Sequence, residues 1–141
     1  MIIANCQTLE RICTTADSDL YRARRLTDGI PVLLKLPPEH ADAGQSARFK
    51  REYLLLQSLN IAGIAKPLAF IDERGGFALV LEDFAGESLE AVLARERHMG
   101  LEVCLCIARH LADTLAGIDA ARVIHCDIRP GNFQASCRLT E

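Results

Sequence analysis

Residues 123–132 read VIHCDIRPGN and carry four chemically capable side chains, which are His125, Asp127, Arg129 and Asn132. Pro130 and Gly131 make a continuous helix unfavourable here, because proline lacks an amide donor and glycine loses much conformational entropy. The residues before this stretch have helical periodicity and those after it resemble a strand, so we expect a rigid loop. Side chains collected on such a loop are more often placed for a ligand than for packing. The rest of the sequence indicates which ligand.

The composition is that of an ordinary globular domain. The 141 residues are 50% hydrophobic and 25% charged, which argues against a disordered chain. The net charge of −3 shows that the chain lacks the excess of basic residues that is typical of nucleic-acid-binding proteins, so we expect no nucleic-acid partner. The most apolar long stretch, residues 101–118, is interrupted by charged residues, and the first residues lack a basic flank followed by a long apolar run. We therefore expect no membrane segment, no export signal and a cytoplasmic location.

The six cysteines do not have the spacing of a zinc site or of a disulfide framework. No two form a C-x-x-C pair, no histidine lies at zinc-binding spacing, and several lie within apolar periodic stretches. The pattern indicates buried, reduced thiols in a cytoplasmic protein.

The first half of the chain alternates between strand and helix signals. Three strands are predicted, at residues 8–13, 19–25 and 30–36. Thr27-Asp28-Gly29 predicts a tight turn between the last two. A helix is predicted to begin near Asp42 or Ser46, each a good N-cap. Its apolar stripe is Phe49, Tyr53, Leu56 and Leu59.

The second half predicts strands at 64–72 and 77–82, a short helix from Ser88, a longer helix over 101–119 and a last strand at 133–139. The predicted core face of the long helix is Leu101, Cys104, Leu105, Ala108, Leu111, Ala112 and Leu115. Five strands with one inserted helix, followed by helices, indicate an α+β protein with an antiparallel sheet lobe and a helical lobe. We place the boundary in the connector EDFAG, which gives domains at 1–83 and 84–141.

Lys35 has an unusual position, because it lies within the apolar strand PVLLKL. An ammonium group removed from water needs a partner, since an unpaired buried charge is costly. Glu52 lies beside the apolar stripe of the following helix, and a Lys35–Glu52 pair joining strand to helix is the obvious pairing. The alternative is that Lys35 extends to the surface and that Glu52 only solvates the helix.

The stretch HCDIRPGN resembles the catalytic loop of protein kinases, H-R-D-L-K-P-x-N. Other segments resemble the same family, in the order in which the family has them. VLLKL resembles the strand with the phosphate-binding lysine, and RFKREYLLLQSL resembles the helix whose glutamate pairs with that lysine. ALVLEDFAGESL resembles the strand and hinge that hold adenine. Within the family, the amino-acid sequence of these segments most resembles the N-terminal kinase domains of bacterial multidomain sensor kinases. The resemblance implies a bilobal kinase fold, with a five-stranded antiparallel first lobe, one helix, and the first helices and catalytic loop of the second lobe.

For nucleotide binding, the resemblance implies ATP and Mg²⁺ as cofactors. Lys35 would hold the α- and β-phosphates, with Glu52 fixing its geometry. Backbone groups of Glu82 and Phe84 would pair with adenine, and Leu81 would pack behind it.

For catalysis, the resemblance implies that Asp127 accepts the proton of the substrate hydroxyl and that Asn132 supplies an amide oxygen to magnesium. Arg129 stands where the family usually has lysine and would neutralise the transferring phosphate with fork geometry. His125 would brace the loop. The implied reaction is phosphoryl transfer from ATP to a serine or threonine hydroxyl of a protein, in a signalling module whose partner is a protein substrate or partner domain.

The sequence departs from the family pattern in three places. The segment CTTADS stands where the glycine-rich phosphate loop is expected; it contains no glycine, and Asp17 and Asp19 would repel phosphates. Cys126 replaces the arginine that receives an activation-loop phosphate, so that form of control is not expected. No D-F-G follows the loop, although CRLTE, which ends at Glu141, resembles the strand that leads into it. We therefore expect a kinase domain truncated after its catalytic loop, with little activity by itself.

Two alternatives remain. H-x-D-x-x-x-x-N loops also occur in small-molecule kinases of the aminoglycoside and choline type, while the segments from DGIPVLLKL to EDFAGESL favour a protein kinase. The other alternative is a non-catalytic pseudokinase or remnant that acts as a binding module, which the missing glycines and D-F-G support. The joint presence of Lys35, Glu52, Asp127 and Asn132 speaks against long decay of the site.

Overall fold

The structure, a computed structural model, describes residues 2–73, 76–96, 98–126 and 128–135. Its strands are β1 (Ile2–Ile3), β2 (Cys6–Thr14), β3 (Asp19–Arg25), β4 (Pro31–Leu36), β5 (Pro67–Glu73), β6 (Gly76–Glu82), β7 (Glu87–Ser88) and β8 (Gln134–Ala135). Its helices are α1 (Ala43–Ser58), α2 (Leu89–Arg95) and α3 (Leu101–Ala120), with a short 3-10 helix at Pro130–Asn132. The chain divides into two units, one of Met1–Ser58 with Ala65–Asp83 and one of Leu59–Ile64 with Phe84–Glu141. The predicted α+β class is confirmed.

The first unit is built on an antiparallel sheet with the strand order β1-β2-β3-β4-β6-β5. The sequence predicted five of these strands and missed β1, so the five-strand expectation is corrected. β1 pairs with the start of β2, and the turn between them has positive φ at Ala4 (54°) and Asn5 (57°). Two left-handed residues form a turn whose twist suits a two-residue hairpin. Alanine rarely adopts this conformation, so the sequence carried no recognisable turn signal there.

Strand β4 lies inside this sheet, between β3 and β6, and its side chains alternate between two apolar clusters. The first cluster has buried members that all lie on strands, among them Val32, Leu34 and Leu36. The buried members of the second cluster are Leu33, Phe49, Leu79 and Leu81. Because successive strand residues point to opposite faces, Lys35 shares the face of Leu33, which α1 covers. The sheet thus directs the lysine towards the helix.

Helix α1 begins directly after Asp42, one of the two predicted N-caps. The Asp42 carboxylate accepts from the Gln45 N–H at 2.9 Å, and the Gln45 side chain accepts from the Asp42 N–H at 3.0 Å. This reciprocal arrangement is a capping box, which satisfies two amide donors at the helix start. The predicted apolar stripe packs on the sheet through Phe49, Tyr53 and Leu56. Leu59, its predicted last member, follows the helix end and belongs to the second unit.

The second unit contains α2, α3 and a two-stranded sheet of β7 and β8. Helix α2 starts directly after Ser88, close to the predicted start, and Ser88 is its N-cap, with the hydroxyl accepting from the Ala91 N–H at 3.2 Å. The Leu89 N–H donates to the Phe133 carbonyl at 2.8 Å, so the residues after the loop are held against the start of α2. Of the predicted last strand at 133–139, Gln134 and Ala135 form β8, Phe133 precedes the strand, and residues 136–139 lie outside the described residues.

Helix α3 covers the predicted range, but its core face is rotated from the predicted one. Leu101 and Leu105, both predicted as core residues, are 72% and 60% exposed. The less exposed apolar positions are Val103, Cys106, Ile107, Leu111, Leu115 and Ile118. Residues 59–64 select this face, since the Thr114 hydroxyl on the same side donates to the Ala62 carbonyl at 3.3 Å. Neither α3 nor another helix of the described ranges is long and apolar enough to cross a membrane.

The cysteines that the structure describes are all free. Cys6 is buried in the first unit, and burial raises the pKa of its thiol, which favours the protonated form. Cys104 and Cys126 are exposed, so the prediction of buried thiols is wrong for these two. Cys137 lies outside the described residues.

Candidate active site

Lys35 forms an ion pair with Glu52 that joins β4 to α1. The Lys35 Nζ atom lies 2.8 and 2.7 Å from the Oε1 and Oε2 atoms of Glu52. The two side chains are 24% and 37% exposed, so the pair is partly shielded from water. The pairing predicted from the sequence is confirmed, and the alternative in which Lys35 extends alone to the surface is wrong. The ammonium group is consequently held at one place on the sheet face.

The ring of Phe49 provides a second contact to the same ammonium group. The Lys35 Nζ atom lies 5.2 Å from the Phe49 ring centroid, within the range of a cation–π interaction. Phe49 is itself held edge-on against Phe77, with ring centroids 5.1 Å apart. The sequence placed Phe49 only in the apolar stripe. Its position one helical turn before Glu52 was the signal that both side chains face the same group.

A small cavity of about 50 Å³ lies beside this ion pair. Its lining residues are Asp17, Lys35, Gln45, Arg48, Phe49 and Glu52. The Arg48 Nη1 atom lies 3.3 Å from the Asp17 Oδ1 atom, which joins α1 to the turn between β2 and β3. Sequence patterns did not single out Arg48, although it lies one turn before Glu52 on the same side of α1. The lining therefore contains two cationic and two carboxylate side chains.

The turn between β2 and β3, at residues 15–18, lies in the segment CTTADS (13–18), where a glycine-rich phosphate loop was expected. The Thr15 hydroxyl accepts from the N–H groups of Asp17 and Ser18 at 3.3 and 3.0 Å. The Thr15 N–H in turn donates to the Ser18 carbonyl at 2.9 Å. These amide groups are engaged within the turn, so in this conformation they do not form an anion-binding cradle.

The residues expected to contact adenine lie at the end of β6 and after it. Leu81 is 9% exposed and belongs to the apolar cluster on the sheet face that also carries Lys35. The Glu82 N–H donates to the Lys66 carbonyl at 2.9 Å, so the Glu82 carbonyl is the better candidate for a ligand. Phe84 belongs to the second unit and is 42% exposed.

The loop that follows α3 is described except at Asp127, whose role stays a prediction. His125 stacks on Phe133, with ring centroids 6.4 Å apart and an angle of 19° between the ring planes. This stack agrees with a bracing role for the histidine. A short 3-10 helix follows, and the Asn132 N–H donates to the Arg129 carbonyl at 3.0 Å. The hydrogen bond fixes the backbone of the loop, while the catalytic roles of Arg129 and Asn132 stay predictions.

Glu90 on α2 approaches this loop and was not anticipated from the sequence. A Cβ atom added at Gly131 would lie 2.8 Å from the Glu90 Oε2 atom, closer than such contacts allow. The carboxylate therefore occupies space that a side chain at position 131 would take. In the part of the chain that the structure describes, no group of three or more histidine, cysteine, aspartate or glutamate residues could hold a metal ion. Magnesium is commonly held by a few protein oxygens together with substrate phosphates, and the amide of Asn132 fits that donor set.

Comparisons with known proteins point to one family. Residues 7–137 match the family described as protein kinase domain. The serine/threonine-protein kinase PkaB of Streptomyces coelicolor is 31% identical over 104 residues, which cover 72% of this chain and 25% of that protein. The serine/threonine-protein kinase pkn2 of Myxococcus xanthus is 32% identical over 116 residues, which cover 81% of this chain and 14% of that protein. Cyclin-dependent kinase F-1 of Arabidopsis thaliana is 32% identical over an alignment of 145 residues, which covers 96% of this chain and 29% of that protein. The chain thus spans less than a third of the length of these relatives.

Proposed function

This chain belongs to the protein kinase family, and we propose that it binds Mg-ATP as the nucleotide-binding part of a serine/threonine protein kinase. The observation that carries the proposal is the ion pair between Lys35 and Glu52, with Nζ 2.7 Å from the carboxylate. A strand lysine paired with a helix glutamate is the device with which the family positions nucleotide phosphates. The relatives include serine/threonine-protein kinases, which favours a protein substrate over a small molecule.

For nucleotide binding, we propose that Lys35 contacts the α- and β-phosphates and that Glu52 orients it. The Glu82 carbonyl accepts a hydrogen bond from adenine, the Phe84 N–H donates one, and Leu81 packs against the ring. Lys35 and Leu81 lie on the same face of the sheet, which supports a shared ligand. Partial shielding from water strengthens the attraction between the Lys35 ammonium group and a phosphate, because the local dielectric is lower than that of bulk water.

For the chemical step, we propose that Asp127 accepts the proton of the substrate hydroxyl. At the same time, the hydroxyl oxygen of the substrate forms a bond to the γ-phosphorus of ATP. The bond from that phosphorus to the ADP oxygen breaks, and ADP leaves. Arg129 neutralises charge on the transferring group, and its guanidinium fork can bond two oxygens at once. Bound magnesium would neutralise charge on the phosphates, with Asn132 as one protein ligand. His125 holds the loop through its stack on Phe133.

We propose further that the 141 residues bind nucleotide with little turnover by themselves. No D-F-G follows Asn132 among them, and in the family this motif supplies the main magnesium-binding aspartate. Residues 1–83 would form the first kinase lobe, and residues 84–141 the hinge and part of the second. The role is that of a cytoplasmic signalling module whose partner is a protein substrate or partner domain.

Thermal unfolding with and without Mg-ATP tests this proposal. A ligand at a hundred times its Kd stabilises the folded state by about 2.7 kcal/mol, which should raise Tm by several degrees. Lys35→Met keeps the side-chain length, removes the charge, and should abolish the increase. Lys50→Met removes an exposed lysine from the same helix as Glu52 and should retain it.

Two results would argue against nucleotide binding at Lys35. An equal Tm increase in parent and Lys35→Met would show that ATP binds elsewhere. No increase in a well-folded parent would favour the second candidate function, a non-catalytic binding module. The observation that favours this candidate is the engagement of the Asp17 and Ser18 amide groups by Thr15 inside the turn.

A further inference from the structure

The cavity beside Lys35 contains a basic residue that the proposed function does not use. Arg48 lines this cavity, and its Nη1 atom lies 3.3 Å from the Asp17 carboxylate. The Arg48 and Asp17 side chains are 64% and 66% exposed, so their ion pair is weak. A phosphate group carries more negative charge than one carboxylate and offers more acceptor oxygens. It can therefore displace Asp17 from Arg48.

The turn at residues 15–18 has no free backbone amides at Asp17 and Ser18 with which to bind phosphates in the observed conformation. Its amide groups at Asp17 and Ser18 are engaged by the Thr15 hydroxyl. Asp17 also adds a negative charge to the cavity lining. A nucleotide would meet repulsion at this place, where backbone donors would otherwise stabilise it. A second cation close to Lys35 would compensate for this deficit, and the cavity lining contains one in Arg48.

The Arg48–Asp17 contact lies in the lining of a cavity that is small compared with a triphosphate. A cavity of about 50 Å³ has room for a few water molecules. A triphosphate needs more room than this. The contact joins α1 to the turn, so breaking it allows the turn to move. The guanidinium remains attached to α1, one helical turn from Glu52, and therefore stays near the Lys35 ammonium group.

We propose that Arg48 is a second phosphate-binding cation, which Asp17 holds in the free protein and which passes to the phosphate oxygens when Mg-ATP binds. This inference rests on the proposed function, because it concerns the same nucleotide site. Asp17 is then an internal competitor of the nucleotide. Removing the Arg48 charge weakens binding, whereas removing the Asp17 charge strengthens it. The effect grows with the number of phosphates and is absent for adenosine.

Isothermal titration of the full chain with Mg-ATP and with adenosine tests this proposal. Arg48→Gln should raise the Kd for Mg-ATP about tenfold, the effect of losing one charged hydrogen bond in an exposed site. Asp17→Asn should lower the same Kd, and the Kd for adenosine should change in neither variant. Lys50→Gln and Glu39→Gln make the same charge changes at exposed residues outside the cavity lining and serve as matched controls.

The direction of the two changes separates this proposal from a structural role. If Arg48 only tethered the turn, Arg48→Gln and Asp17→Asn would shift the Kd in the same direction, because each breaks the same contact. If Lys50→Gln raised the Kd for Mg-ATP as much as Arg48→Gln, the net charge of the protein would explain the change. That result would overturn the proposal. If Mg-ATP binds the parent, requires Lys35, and is indifferent to Arg48→Gln, this inference fails while the proposed function stands. If neither the parent nor Asp17→Asn binds Mg-ATP, both fail.

Discussion

At the scale of single residues, the carboxylate of Asp83 is almost entirely removed from solvent at the end of the first unit. Only 2% of its side chain is exposed, and the Arg22 Nε atom donates to its Oδ2 atom at 2.9 Å. Arg22 lies on β3 and also approaches Glu10 on β2, at 3.5 Å. The buried carboxylate therefore depends on a cation that the neighbouring strands hold in place, since a shielded charge needs a partner.

Arg22→Ala should destabilise the protein by about 1–3 kcal/mol, because it leaves the shielded Asp83 carboxylate without its guanidinium donor. Urea unfolding followed by circular dichroism measures the change. Arg24→Ala removes an exposed arginine from the same strand and should change the free energy of unfolding by less than about 0.5 kcal/mol. Equal effects of the two substitutions would contradict the importance of the Asp83 contact.

At the scale of elements, the hairpin of β3 and β4 fixes the position of Lys35 in the sheet, where Lys35 pairs with Leu20. The hairpin depends on the turn between the two strands. The turn is closed by the Arg25 N–H donating to the Ile30 carbonyl at 2.9 Å. The Arg25 guanidinium also bonds the Asp28 carboxylate, which lowers the pKa of that carboxyl from its ordinary value. Gly29 has φ of 72°, a left-handed conformation that residues with a Cβ rarely adopt.

Gly29→Ala should destabilise the protein by about 1 kcal/mol, because alanine must adopt the left-handed conformation that glycine takes freely. A Cβ at this position meets no atom within 4 Å, so the loss would come from backbone strain rather than from a clash. Gly29→Asn should recover much of the loss, since asparagine tolerates this region. If both variants lost the same stability in thermal unfolding, backbone strain would not be the cause.

At the scale of the whole molecule, the chain leaves the first unit between α1 and β5 and returns to it. Residues 59–64 form part of the second unit, where Gly117 on α3 allows Ile61 to approach closely. A Cβ atom added at Gly117 would lie 2.7 Å from the Ile61 Cγ2 atom. Gly63 is also constrained, with φ of 89° and a Cβ position 2.5 Å from the Thr114 hydroxyl oxygen. The second unit therefore requires small residues where this segment meets α3.

Gly117→Ala should destabilise the protein by about 1–3 kcal/mol, because the added methyl group overpacks the contact with Ile61. Without that contact the same change would stabilise a helix by about 1 kcal/mol, so the sign of the effect is informative. In an Ile61→Ala background, Gly117→Ala should cost less or become stabilising. A double-mutant cycle by urea unfolding measures this coupling, and strictly additive effects would contradict the close approach.

The sequence by itself determined the local elements and one contact of the site. Near neighbours determine the alternation in β4, the helical period in α1, the cap at Asp42 and the start of α2 after Ser88. Such patterns are readable because their free energies depend on residues only a few positions apart. The Lys35–Glu52 pair was also predictable, since an ammonium group in an apolar strand needs a carboxylate and one lies beside the stripe of the next helix.

Only the tertiary structure decided which face of α3 is buried, because the sequence offers more than one apolar face and the segment packed against the helix selects it. The tertiary structure also determined that Arg48 pairs with Asp17 and that Arg22 pairs with Asp83. The members of these pairs are 31 and 61 positions apart in the sequence. No local pattern marks such partners, since each contact exists only after the sheet and α1 have placed both side chains. The second cation at the candidate phosphate site is therefore a product of the fold, whereas the first was predictable from the chain.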